Sequence, residues 1–156
     1  MAALLGEWQC VESDGMDMVL AAYGTHQTLR DQLDYLHSYL TIDLVEDELY
    51  IGEAIDEKHT EHTFVLGQEL EELTLDGRIV RTVFILESER LLRQIQRHGF
   101  SETVITREVK DGVLTSVVRT PEATAILKFH RIGSPRRRPT IRRSNPNVLQ
   151  PPLTPN

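Results

Sequence analysis

Asp76-Gly77-Arg78-Ile79-Val80-Arg81-Thr82-Val83-Phe84-Ile85-Leu86 opens on a turn dipeptide and continues as a run dominated by β-branched and aromatic side chains. Asp-Gly supplies the left-handed backbone of a tight hairpin, and the run beyond it fits a pleated, half-buried strand. The same grammar recurs. Thr103 to Val109 and Ala125 to Phe129 read as strands, while His98-Gly99 and Asp111-Gly112 read as further hairpin turns. Repeated in this way, the pattern predicts an all-β meander of antiparallel hairpins. One early stretch departs from it: Met16, Val19, Leu20 and Tyr23 share a helical face, Gly24 stops that segment, and Leu29, Leu33 and Leu36 mark a second helix. Pattern alone leaves both a ten-stranded barrel and a closed eight-stranded one open.

At 156 residues with 40% hydrophobic content, the chain is long enough for one domain with a sizeable core. Met1 to Leu5 is too short for the apolar region of a signal peptide and lacks a basic start, and no apolar run approaches the ~20 residues of a membrane span. Neither secretion nor membrane insertion is therefore expected. Cys10, the single cysteine, alternates with Trp8 along the first strand, which suits a buried thiol in a reducing compartment.

Charge divides the chain in two. Residues 134–156 hold five arginines (136, 137, 138, 142 and 143), six of the seven prolines and no acid, leaving residues 1–133 with 12 basic against 24 acidic side chains, a net of −12. Proline at that density supports neither helix nor strand, so a domain at 1–133 and a disordered Arg/Pro-rich tail at 134–156 are expected.

Gly6-Glu7-Trp8, Gly15-Met16-Asp17 and Phe64-Val65-Leu66-Gly67-Gln68-Glu69-Leu70, with Asp76-Gly77-Arg78 just beyond, recur at a particular spacing. In these residues the chain resembles the intracellular lipid-binding protein family, the fatty-acid-binding and retinoid-binding proteins of the cytoplasm. The resemblance runs from about Leu5 to Ile132 and needs one inserted residue around Ser88 to Arg90. It implies a ten-stranded antiparallel up-and-down barrel, or β-clam, with a helix-turn-helix lid and room for one lipid. It further implies a monomeric carrier in the cytoplasm, with the nucleus as a second location, that binds a fatty acid or similar hydrophobic ligand without a cofactor.

The polar groups that point inward carry the chemistry. Along Thr103 to Val109 the period of two puts Arg107 on the face of Ile105 and Val109. A guanidinium cannot shed its proton, so a buried Arg107 requires an anion, ordered water or a strong array of acceptors. By resemblance, Arg107 matches a basic position that contacts the ligand head group in many family members. Fatty-acid binders also commonly carry an Arg-x-Tyr pair in the last strand, where this chain has Leu127 and Phe129. With that clamp reduced, a more apolar or neutral lipid becomes a candidate beside a carboxylate held by Arg107 alone. Gln94 and Gln96 match interior polar positions, Asp76 and Arg78 match a pair near the cavity opening, and Leu20 and Tyr23 would project from the lid. Glu57 stands where an aromatic gate is common.

Catalytic signals are weak. His59 and His62, three apart, fall on opposite faces of a strand, and no paired-cysteine or HExxH spacing accompanies them. No Ser/His/Asp arrangement or glycine-rich phosphate loop is present, so neither enzyme nor metal site is expected. The competing class is an interaction protein whose barrel is a scaffold. Its Arg-rich segment 136–143 would contact an acidic protein, an anionic membrane or an import receptor. The lid, with Ala21 and Asp31 on either side of its one arginine, Arg30, is poorly supplied with positive charge for that work.

Overall fold

The computed structural model describes residues 1–134. After a 3-10 turn at Ala2–Leu4 come β1 (Gly6–Asp14), α1 (Met16–Ala22), α2 (Gln27–Gln32) and a second 3-10 turn at Tyr35–His37. Nine strands follow: β2 (Ser38–Val45), β3 (Glu48–Ile55), β4 (Lys58–Phe64), β5 (Leu70–Leu73), β6 (Ile79–Ser88), β7 (Leu91–His98), β8 (Ser101–Lys110), β9 (Val113–Arg119) and β10 (Thr124–Gly133). The expected strands are all present: β8 and β10 extend beyond the runs read from the sequence at both ends, while β6 starts one residue later, at Ile79, and runs on to Ser88.

Each strand pairs antiparallel with its neighbours in sequence, except at two places. β1 pairs with β10 as well as β2, which rolls the sheet shut, and β4 and β5 are not hydrogen-bonded neighbours. Ten strands in a nearly closed up-and-down barrel result, deciding between the two barrels that the pattern left open. The β4–β5 opening is bridged by the intervening turn, where Gly67 N–H donates to the Phe84 carbonyl at 2.8 Å. A left-handed φ of 80° at Gly67 makes that turn, and the Phe64 and Phe84 rings meet behind it with centroids 4.6 Å apart.

β10 runs from the lid to the opposite end of the barrel. At that far end Trp8 is fully buried among Leu4, Ile42, Phe64 and Leu114, and its indole N–H donates to the Leu4 carbonyl at 3.0 Å. The Arg131 guanidinium lies over the Trp8 ring, 4.4 Å from its centroid, and donates to the Ala3 and Leu5 carbonyls, tying the N-terminal turn to β10. Burying each large apolar side chain contributes roughly 1.5–3 kcal/mol, so this cluster anchors the fold while the lid end stays more open.

At the lid end, Leu20 of α1 packs with Leu33 and Ile55, flanked by Met16, Tyr23, Leu29, Tyr35 and Leu75. The second helix is shorter than the leucine spacing predicts. It ends at Gln32, and the Asp34 side chain accepts from Leu36 N–H at 3.1 Å, capping a new 3-10 turn in which Leu36 is exposed. A short acceptor side chain competing for a backbone N–H is the reason the helix does not continue. Cys10 is buried, as expected, and burial raises its thiol pKa. No helix among the described residues is long and apolar enough to cross a membrane. The proposed Arg/Pro-rich segment lies, from residue 135 on, outside the described residues.

Candidate functional site

Beneath the lid the barrel encloses a cavity in which about 80 Å³ is open to the centres of water molecules, room for several. Its apolar wall is made by Leu20, Leu40, Ile105, Val118, Leu127 and Phe129, and its polar wall by Glu53, Glu72, Asp76, Arg78, Gln96, Arg107 and Ser116. Period-two alternation along β7, β8, β9 and β10 explains the lining. In β10 Ala125, Leu127 and Phe129 are buried while Lys128 and His130 are exposed, and in β8 Thr103, Ile105, Arg107 and Val109 turn inward.

Arg107 is 4% exposed. Its Nη1 donates to Gln94 Oε1 at 2.9 Å, and its Nη2 lies 3.7 Å from Glu53 Oε1, an ion-pair distance too long for a direct hydrogen bond. Gln94 passes the contact on. Its Nε2 donates to Thr82 Oγ1 at 2.9 Å and to Glu72 Oε1 at 3.1 Å, and Gln96 Nε2 reaches the same Glu72 oxygen at 3.2 Å. β3, β5, β6, β7 and β8 thus contribute to one buried polar cluster. Burial pushes the Glu72 carboxyl up to about 7, with Glu53 adding to the rise, while Gln96, Arg107 and Arg78 oppose it. For Arg107, burial pulls the pKa below its ordinary value, against the support of Glu53 and Glu72.

A second pair lies under the lid. Arg78 Nε donates to Asp76 Oδ2 at 2.6 Å and its Nη2 to Oδ1 at 3.3 Å, a forked contact, and its guanidinium lies 3.5 Å from the centroid of the Tyr23 ring. The Tyr23 hydroxyl is 2.9 Å from Thr103 Oγ1. α1 is thereby pinned to β8 and to the turn before β6. Burial raises the pKa of Tyr23 and takes that of Tyr35 well above its ordinary value, keeping both phenols neutral.

The structure brings eight of the nine candidate residues to the cavity wall: Arg107, Phe129, Leu127, Gln96, Arg78, Asp76, Tyr23 and Leu20. Gln94 does not line it but stands behind Arg107 as a buttress. The sequence reading did not single out Glu53, Glu72, Tyr35 or Ser116, all of which line the cavity. Glu57 is exposed in the β3–β4 turn, and His59 is exposed on β4. Among the described residues no group of three or more His, Cys, Asp or Glu side chains is placed to hold a metal ion.

No protein-family model matches the chain. Individual relatives do. A fatty acid-binding protein of Clonorchis sinensis is 29% identical over 132 residues, covering 84% of this chain and 99% of the relative. The 14 kDa fatty acid-binding protein of Schistosoma mansoni is 30% identical over 133 residues, covering 85% of this chain and all of the relative. Among solved structures, the Schistosoma mansoni fatty acid binding protein in complex with arachidonic acid superposes with a TM-score of 0.80 at 30% identity, covering 85% of this chain and 98% of the other. The similarity spans the entire barrel and its lid, and on that ground the chain belongs to the fatty-acid-binding protein family.

Proposed function

We propose that the protein is a carrier that holds one fatty acid or similar long-chain lipid noncovalently in its barrel cavity. The observation that carries this is the division of the cavity into an apolar wall and a buried polar cluster centred on Arg107. An acyl chain laid along Leu40, Val118, Leu127 and Phe129 would gain about 0.8 kcal/mol for each buried methylene, and the cluster would orient the polar end. That a relative of 30% identity is solved with arachidonic acid supports the same reading. Noncatalytic transport suits the site, whose polar groups are engaged with one another. The lone buried thiol of Cys10 fits a reducing compartment, and the cytoplasm is the proposed location.

Native mass spectrometry of the gently purified protein tests the carrier reading. The expected spectrum shows the chain with one lipid-sized adduct, restored when the delipidated protein is mixed with lipid. A bare chain that takes up no long-chain lipid overturns it.

A further inference from the structure

We propose that the cavity selects long-chain lipids whose head group is uncharged and bears a hydroxyl or amide, in preference to free carboxylates, because the protein's own acids already answer Arg107. The inference rests on the carrier reading and narrows its ligand class.

The charged residues of the cavity wall are Glu53, Glu72 and Asp76 against Arg78 and Arg107. Asp76 and Arg78 satisfy each other through the forked contact. What remains around Arg107 is one guanidinium facing two carboxyl groups, Glu53 from β3 and Glu72 from β5. A ligand carboxylate at Arg107 would be a third acid beside one cation, at short range in a medium far less screening than water. Leu127 and Phe129, where β10 crosses this wall, add no further positive charge.

A hydroxyl meets no such opposition. Between Arg107 Nη2 and Glu53 Oε1, 3.7 Å apart, a head-group oxygen beside both can accept from the guanidinium and donate to the carboxylate, whereas an ionised carboxylate has nothing to donate. An amide has the same double capacity. Ser116, opposite Arg107 in the β8–β9 register and also on the cavity wall, offers a further hydroxyl partner. Glu72, pushed up to about 7, is about half ionised at that pH, so the wall carries at most one net negative charge, which a ligand carboxylate would deepen and a hydroxyl or amide would not.

The test compares oleyl alcohol with oleate, both delivered from cyclodextrin to the delipidated full-length protein at pH 7.5, with affinity read by displacement of a fluorescent probe. The alcohol should bind at least about tenfold more tightly than oleate. Glu53→Gln, at a side chain only partly buried, should shift the ratio several-fold toward oleate, and E53Q/E72Q should shift it further. Oleate binding as tightly as the alcohol to the native protein overturns the selectivity and leaves the carrier intact. So does a ratio that a folded Glu53→Gln variant leaves unchanged. Binding of neither lipid overturns the carrier reading, and the selectivity falls with it.

Discussion

Glu72 concentrates the physics of the site in one side chain. Its carboxyl accepts from Gln94 and Gln96 and is faced by Glu53 from β3, Arg107 from β8 and Arg78 from the turn before β6. Its pKa rises from the ordinary 4.5 to about 7 in the folded protein, so the folded state binds the proton more tightly than the unfolded one. Glu72 contributes stability that is full below pH 4.5 and is lost as pH rises through about 7. The loss is on the order of 3 kcal/mol. Glu72→Gln keeps the shape of the protonated acid and removes its ionisation. Its melting temperature relative to the native protein should therefore climb by several degrees between pH 5 and pH 8. A difference that stays flat across that range would show that Glu72 does not titrate there. Arg107 was legible in the sequence because Ile105 and Val109 flank it at period two. Glu53 was not, because β3 is buried on both faces from Leu49 to Gly52 and alternation loses its meaning there. Glu72 alternates with buried Leu70, but the acids at 69 and 71 make the segment read as a solvated edge.

Among the elements, the lid depends on its junction with β10. Gly15 precedes α1 with φ at 94°, and a β-carbon there would lie 2.5 Å from the Thr124 carbonyl oxygen. Glycine both permits the turn and lets the helix start close against the first residue of β10. From there Val19 and Leu20 are buried, and Tyr23 reaches Thr103. Gly15→Ala should lower the melting temperature by several degrees, a cost of about 2 kcal/mol or more from backbone strain and the contact with Thr124. Hydrogen exchange should quicken in α1 while the β6–β8 ladder stays protected. An unchanged melting temperature would mean that the junction has slack that the geometry does not show. The first helix could be read from its apolar face and Gly24, because nothing competes with its backbone bonds. The second could not be read to its end, because the leucine spacing carries on through Leu33 and Leu36 while Asp34 diverts the chain into a 3-10 turn.

For the whole molecule, the ladder that closes the barrel is complete within residues 6–133. β10 pairs with β9 from Thr124 to His130 and with β1 from Ile126 to Gly133, so both of its edges are occupied. Hairpin turns and strand runs made the antiparallel meander readable from the sequence, whereas its closure into ten strands was implied only by the family resemblance. The β4–β5 opening was not, because it arises where β5 is only four residues long and pairs with β6 alone. Truncation after Gly133 removes no strand pairing and should leave the melting temperature within about 2 °C of the full chain and lipid affinity unaltered. It does change the charge, from −7 to −12, by removing five arginines and no acid. An acidic barrel without that segment should be repelled by anionic lipid, whereas the arginines of 136–143 supply attraction to it. Binding to vesicles containing phosphatidylserine should accordingly fall on truncation. The difference should fade as salt is raised past 0.1 M, where screening acts over ~10 Å. A truncated protein that unfolds would show that the barrel needs residues beyond Gly133, and vesicle binding equal to that of the full chain would remove the arginines from any role at an anionic surface.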